Sequence, residues 1–207
     1  MALEIENLGF HYKKSDWLFR NLNFTLERGE IVGISGYSGC GKSTFAKILA
    51  NFLNPVEGRV LIDNEKFQKN VYQPVQLIFQ HPEKTLNPKW HMKKSLNEAY
   101  TPDDDLLERF GIQKKWYDRY PIEISGGEMQ RFCIVRSLAP QTKYLIADEI
   151  TTMLDAITQA KIWKELLTIC RNRNLGLMII SHETELLSKL CDRIVSLEQM
   201  QLGLNNK

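Results

Sequence analysis

The octapeptide Gly36-Tyr-Ser-Gly-Cys-Gly-Lys-Ser43 decides how this chain is read. It fits the spacing G-x-x-x-x-G-K-[ST], follows the apolar run Glu30-Ile-Val-Gly-Ile-Ser35, and opens a helical pattern over residues 42–52. Strand, glycine-rich turn and helix in that order make a phosphate-binding loop. The glycines let the backbone curl until successive N–H groups face phosphate oxygens, and the helix N-terminus adds its positive end. Gly36, Tyr37, Ser38, Gly39, Cys40, Gly41, Lys42 and Ser43 are thus candidate nucleotide-binding residues. Lys42 is placed to reach the β- and γ-phosphates, and the Ser43 hydroxyl to ligate Mg²⁺. By itself the loop specifies only a nucleoside triphosphate. For Cys40, inside the loop, a conformational role ranks first and a low-pKa reactive thiol at a helix start second.

Outward from the loop, the spacing predicts alternating strands over residues 3–8 and 22–26, which read as an antiparallel layer. Further strands are expected over 30–35, 58–63, 75–79, 143–148, 177–181 and 193–197. Helices are expected over 90–100, 103–110, 126–139 and 155–173, with a short one before the last strand. Strands alternating with helices imply an α/β fold with a mainly parallel sheet. The proline-punctuated helical stretch between Gln80 and Ala139 reads as an inserted lobe. The expected plan is one domain: a core of residues 1–80 and 141–207 and a helical lobe over about 81–140. The tail from Gly203 to Lys207 leaves no room for a further C-terminal domain.

Composition narrows the class. The chain has 207 residues, 43% hydrophobic and 25% charged, which excludes whole-chain disorder. With 27 Lys and Arg against 25 Asp and Glu, the net charge of +2 carries no strongly basic nucleic-acid footprint. No apolar run approaches the ~20 residues of a membrane span, and the N-terminus lacks a basic-then-apolar leader pattern. The expectation is a cytoplasmic protein. The four cysteines, Cys40, Cys133, Cys170 and Cys191, are too far apart for a CxxC pair, so disulfides and zinc are not expected.

Two more segments carry chemistry. Tyr144-Leu-Ile-Ala-Asp148-Glu149 ends an expected core strand in two carboxylates, at the sheet edge where ligands sit in open α/β folds. Asp148 is placed to hold Mg²⁺ through water, and Glu149 to polarise an attacking water. Ile124-Ser-Gly-Gly-Glu128 precedes a helix, and Ser125 with Glu128 fits a capping box. Two glycines in a first turn cost about 1 kcal/mol each relative to alanine. A helix built for stability alone would not carry them; with Ser125 they make a second anion site of bare N–H groups.

With these residues in place, the whole chain resembles the ABC-transporter ATPase family, a P-loop NTPase family whose signature is LSGGQ. Gly36 to Thr44 matches Walker A, Ser125, Gly126, Gly127 and Glu128 match the signature, and Asp148 and Glu149 match Walker B with its catalytic glutamate. Tyr12 matches the aromatic that stacks on adenine, Gln80 the Q-loop glutamine, Leu154-Asp155 the D-loop and His182 the switch histidine. The motifs stand in the family's order. The resemblance implies two cassettes stacked head to tail, each Walker A facing the other's signature across ATP. It further implies Glu149 as general base, His182 at the γ-phosphate and Gln80 sensing Mg²⁺ and linking the site to the lobe. The lobe would dock on a membrane permease at the cytoplasmic face of the membrane.

The branch is read from three segments. Phe79-Gln-His-Pro-Glu-Lys-Thr-Leu-Asn-Pro88, Tyr120-Pro-Ile-Glu-Ile-Ser-Gly-Gly127 and Asp155-Ala-Ile-Thr-Gln-Ala-Lys-Ile162 resemble the FQdPxxSLNP, YPxELSGG and LDxxxQAxI runs of peptide and nickel importers. That branch implies a second, different ATPase as partner, permease subunits, and indirectly an extracytoplasmic substrate-binding protein. The departures are Ile124, Glu128, Ile150 and Thr152-Met153, where the family usually has Leu, Gln, Pro and Ser-Ala. The alternative is a soluble ABC ATPase acting on nucleic acid or protein complexes, but such proteins usually carry coiled-coil insertions or two fused cassettes. Here the motifs occur once and the interval from Gln80 to Ser125 is lobe-sized.

Overall fold

The computed structural model describes residues 1–13, 16–68 and 71–201. The expectation about the tail from Gly203 to Lys207 lies outside the described residues. Strands β1 (Ala2–His11), β2 (Trp17–Glu27) and β4 (Glu57–Ile62) form an antiparallel sheet in the order β2-β1-β4. Both leading strands run longer than the alternation indicated. Register shifts along β1 interrupt the period of two, and Asn7 there takes a positive φ of 49°. Strands β3 (Ile31–Ser35), β5 (Val75–Ile78), β6 (Tyr144–Asp148), β7 (Gly176–Ile180) and β8 (Arg193–Ser196) form the second sheet. Its order is β5-β6-β7-β3-β8 and every pairing is parallel, so the α/β expectation holds. β3, β6 and β7 are buried almost throughout and read as continuous Val, Ile and Leu runs, as strands covered on both faces do.

Helix α1 (Lys42–Leu49) stops before Phe52. Asn51 enters the left-handed region at φ 62°, and the N–H groups of Phe52 and Leu53 return to the Lys47 carbonyl, a left-handed C-terminal cap. Between β5 and β6 stand α2 (Met92–Leu96), α3 (Asp104–Arg109) and α4 (Gly126–Arg136), joined by 3₁₀ turns. α2 is shorter than its pattern, ending at Leu96, and its first N–H groups, those of Met92 and Lys93, donate to the carbonyls of Arg119 and Tyr117. The Asp103 side chain caps α3 by accepting from the Leu106 N–H. After β6 come α5 (Ala156–Asn172), capped by Asp155, and α6 (Thr184–Leu190). A final turn of helix, α7 (Leu197–Gln201), begins where the alternation suggested only a strand end.

Two apolar cores flank the parallel sheet. One packs α1 and the antiparallel sheet through Phe19, Phe24 and Phe45; the other packs α4, α5 and the intervening helices through Trp116, Phe132 and Trp163. The thiols of Cys133 and Cys170 are buried in the second, and all four cysteines are free. Among the described residues no helix is long and apolar enough to cross a membrane.

Candidate functional site

Sheet order places the site. Neighbouring strands β5, β6, β7 and β3 end side by side, and just past their C-terminal ends come Gln80, Glu149, His182 and the loop from Gly36. The glycines of that loop behave as the motif requires. Gly39 and Gly41 have φ of 88° and 106°, which L side chains resist, and Gly41 is the N-cap of α1. The cap has no side-chain acceptor, so the first N–H groups of α1 remain unbonded by it. Lys42 is 8% exposed and folds back over the loop, its Nζ donating to the Gly36 carbonyl at 2.7 Å and the Tyr37 carbonyl at 3.0 Å.

These residues line an open cleft of about 570 Å³ with Tyr12, Leu18, Ser38, Gly39, Gly41, Ser43, Thr44, Gln80, Glu149 and His182. Tyr12 stands at its rim, edge-on to Phe10 with ring centroids 4.9 Å apart, its hydroxyl 2.9 Å from the Thr44 Oγ1. Cys40 is buried beneath the loop, and burial pushes its thiol up. That disposes of the low-pKa reading: the side chain packs, with Sγ 2.7 Å from where a Cβ on Gly36 would stand.

The acidic pair divides in two directions. Asp148 is 6% exposed; burial pushes its carboxyl up, while the nearby Ser43 side chain acts the other way. Glu149 takes φ 50°, a conformation that costs a non-glycine residue about 1 kcal/mol or more and recurs at functional sites. The bend turns its carboxylate back over the strand end. Oε2 accepts from Gln80 Nε2 at 2.9 Å, and Oε1 lies 3.2 Å from His182 Nδ1. One carboxylate is thus held from both sides at the mouth of the phosphate loop.

Ser125, Gly126, Gly127 and Glu128 are not in that cleft. They line a second one of about 520 Å³, with Met153, Leu154 and Asp155 after β6. The capping box is present: Ser125 Oγ accepts from the Glu128 N–H at 3.3 Å and Glu128 Oε2 from the Ser125 N–H at 2.7 Å. Glu128 therefore turns its charge back onto the helix start, where a carboxylate is favoured. The glycines also have a packing reason. A Cβ on Gly127 would stand 2.7 Å from Leu154 Cδ2, and one on Gly126 3.3 Å from Met153 Sδ. Ile150, at the position of the usual proline, is buried in the core, and Trp163 Nε1 donates to the adjacent Thr151 Oγ1 at 3.2 Å.

Three contributors carried no motif signal. Leu18 enters the cleft from β2 and lies 2.9 Å from where a Gly41 Cβ would stand. Gln130, 2% exposed on α4, donates from Nε2 to the Phe79 carbonyl, tying that helix to the residue before Gln80. Glu198 on α7 accepts from the Tyr37 N–H at 3.0 Å. Each is brought in by tertiary approach from far along the chain. Only the buried polar position of Gln130 in an apolar helix face offered a local hint.

A glycine-lined phosphate loop, two consecutive carboxylates at the end of β6 and a separate serine-glycine helix start define a nucleotide-hydrolysing cassette. The ABC transporter family matches residues 19–152, more than half of the chain. A nickel import system ATP-binding protein, NikE, of Staphylococcus aureus is 35% identical over 209 residues, covering 95% of this chain and 86% of that protein. Among solved structures, a dimeric ATP-binding cassette in a post-hydrolysis state, bound to ADP and phosphate, is 25% identical with a TM-score of 0.80, covering 94% of each chain. The cassette CbiO1 of Clostridium perfringens, part of the transporter complex CbiONQ, is 26% identical with a TM-score of 0.76, covering 94% of this chain and 83% of its own. This chain belongs to the ABC transporter family and is one of its ATP-hydrolysing, ATP-binding subunits.

Proposed function

We propose that the chain powers import by a nickel- or peptide-type ABC transporter, through paired cassettes that close on ATP and open on hydrolysis. The observation that carries the catalytic part is the Glu149 carboxylate clasped between Gln80 and His182 at the mouth of the Lys42 loop. In this reading the N–H groups from Gly39 to Thr44 and the Lys42 ammonium hold the triphosphate, and Tyr12 stacks on the adenine. Glu149 accepts a proton from the attacking water while His182 orients that water and the γ-phosphate. Ser125 and the N–H groups of Gly126 and Gly127 close over the nucleotide of a partner cassette.

The residues fit Mg²⁺. Ser43, a buried Asp148 and the amide oxygen of Gln80 offer an all-oxygen donor set suited to a hard cation. When bound, Mg²⁺ neutralises charge on the β- and γ-phosphate oxygens. Gln80 spends its amide N–H on Glu149.

We further infer that residues of about 81–140 act as the lobe that meets a permease, with 1–80 and 141–207 as the nucleotide core. A groove of about 750 Å³ supports this. It runs past Phe52 and Phe79, which meet edge-on at 5.3 Å, and past Lys47, Lys84, Glu98 and Arg136. It begins one residue from Gln80, so an occupant could report to Glu149. The nickel import relative supports the importer reading. That reading carries with it a second, different ATPase, permease subunits, indirectly an extracytoplasmic substrate-binding protein, and a place on the cytoplasmic face of the membrane. The test is co-purification of the tagged chain from membranes of its source cell. Recovery of a second ATPase with multi-span permeases is expected; recovery of a soluble partner alone would contradict it.

A further inference from the structure

Glu198 lies outside every motif, yet it touches the phosphate loop. Its Oε1 accepts from the Tyr37 N–H at 3.0 Å, and its Oε2 is hydrogen-bonded by the Ser196 hydroxyl. The two carboxylate oxygens sit 3.0 and 3.3 Å from where a Cβ on Gly36 would stand, so a side chain there would press on the carboxylate. The other end of the same peptide is held as well. Lys42 Nζ donates to the Gly36 carbonyl at 2.7 Å. The Gly36–Tyr37 peptide thus has an ammonium on its C=O and a carboxylate on its N–H, and hydrogen bonds in such a chain polarise and reinforce one another.

The carboxylate is not a wandering surface group. α7 is pinned by Leu197 and Met200, both buried in the core beside α1, and Gln201 Nε2 donates to the carbonyl of Leu18, a residue of the cleft wall. Electrostatics alone would disfavour this arrangement, since a negative charge beside an anion-binding loop repels phosphate. What it supplies is geometry.

We propose that Glu198 is a positioning residue for ATP: through the Tyr37 N–H it fixes the Gly36–Tyr37 peptide, and so sets where Lys42 rests and how the loop opens to phosphate. The proposal rests on the assignment of this loop as the nucleotide site.

Two variants separate geometry from charge. Glu198→Gln keeps an acceptor for Tyr37 and removes the charge, whereas Glu198→Asp keeps the charge and withdraws the acceptor; neither empties the site. Equilibrium binding of Mg-ATP to the full chain is the first readout. Glu198→Gln should bind within about twofold of the unaltered protein. Glu198→Asp and Glu198→Ala should bind roughly five- to tenfold more weakly, the scale of one hydrogen bond. In the assembled transporter the loss should fall on KM for ATP more than on kcat, and Glu198→Gln should restore it. Unchanged affinity in Glu198→Asp and Glu198→Ala would overturn the proposal. So would a Glu198→Gln variant as weak as Glu198→Asp, because charge would then be what matters. Failure of the unaltered chain to bind Mg-ATP would instead strike the nucleotide assignment itself, and this inference with it.

Discussion

The two clefts of this molecule are built by different means. The first is built from convergent side chains: Lys42, Gln80, Glu149 and His182 arrive from four adjacent strand ends and already bond to one another or to the loop, with Ser43 beside them. The second is built from backbone. Ser125, Gly126 and Gly127 offer a capped helix start packed against Met153 and Leu154; the basic side chain that lines this cleft, Arg131, donates to the Gly111 carbonyl. A site with its own cation and base can bind and prepare a triphosphate alone. A site made of N–H groups and small residues serves where the phosphate is delivered by something else. The difference is what a cassette needs if each nucleotide is held by one chain and capped by another.

The sharpest way to break this comparison is to remove the cation from the first cleft. Lys42→Ala should weaken Mg-ATP binding by about a hundredfold or more, because charge-assisted bonds to phosphate are the strong ones. Isothermal titration of the purified chain measures it, and affinity within a few-fold of the unaltered protein would show that the backbone loop suffices without its lysine.

The converse change touches only the second cleft. Gly127→Val would drive a branched side chain into Leu154 and cover the N–H groups of the α4 start. Overpacking of this kind costs about 1–3 kcal/mol of stability. Binding of Mg-ATP to the single chain should stay within about twofold, while hydrolysis in the assembled transporter falls at least roughly tenfold, a barrier increase of about 1.4 kcal/mol. Equal loss of single-chain binding would merge the two clefts into one.

The smallest effect concerns stability. Burial holds the Asp148 carboxyl above its usual range. A folded-state pKa above the unfolded one means stability present at low pH that is lost as pH rises through the folded value. At neutral pH Asp148 is therefore a cost to the fold, and Asp148→Asn should raise Tm at pH 7 by more than at pH 4 while hydrolysis is lost. Thermal unfolding at the two pH values checks the sign; a lower Tm at pH 7 would reverse it.

How legible each cleft was in the sequence follows from how it is built. The phosphate loop could be read because its parts are contiguous and each residue type has one job. The parallel core followed from the same segment, since β3, β6 and β7 are unbroken apolar runs. The convergence of Gln80, Glu149 and His182 could not be derived from spacing; it entered through family resemblance, and sheet order now supplies its cause. The signature glycines read as an anion site, but their contact with Leu154 and Met153 depends on how the segment after β6 turns. Glu198 and Leu18 left no trace, because a short C-terminal helix and a strand edge meet the loop only after folding. α7 itself was missed because residues 193–197 alternate like a strand, and burial of Leu197 and Met200 settles the turn that follows.

The central claim is that Glu149 is the base of a site that binds ATP without it. Glu149→Gln keeps the size of the side chain and its contacts with Gln80 and His182, and removes only the basic oxygen. Turnover of Mg-ATP by the assembled transporter, measured beside equilibrium ATP binding, puts the claim to a direct test. The account predicts hydrolysis reduced by about 10²- to 10⁴-fold with ATP affinity retained. Hydrolysis at the unaltered rate would contradict it.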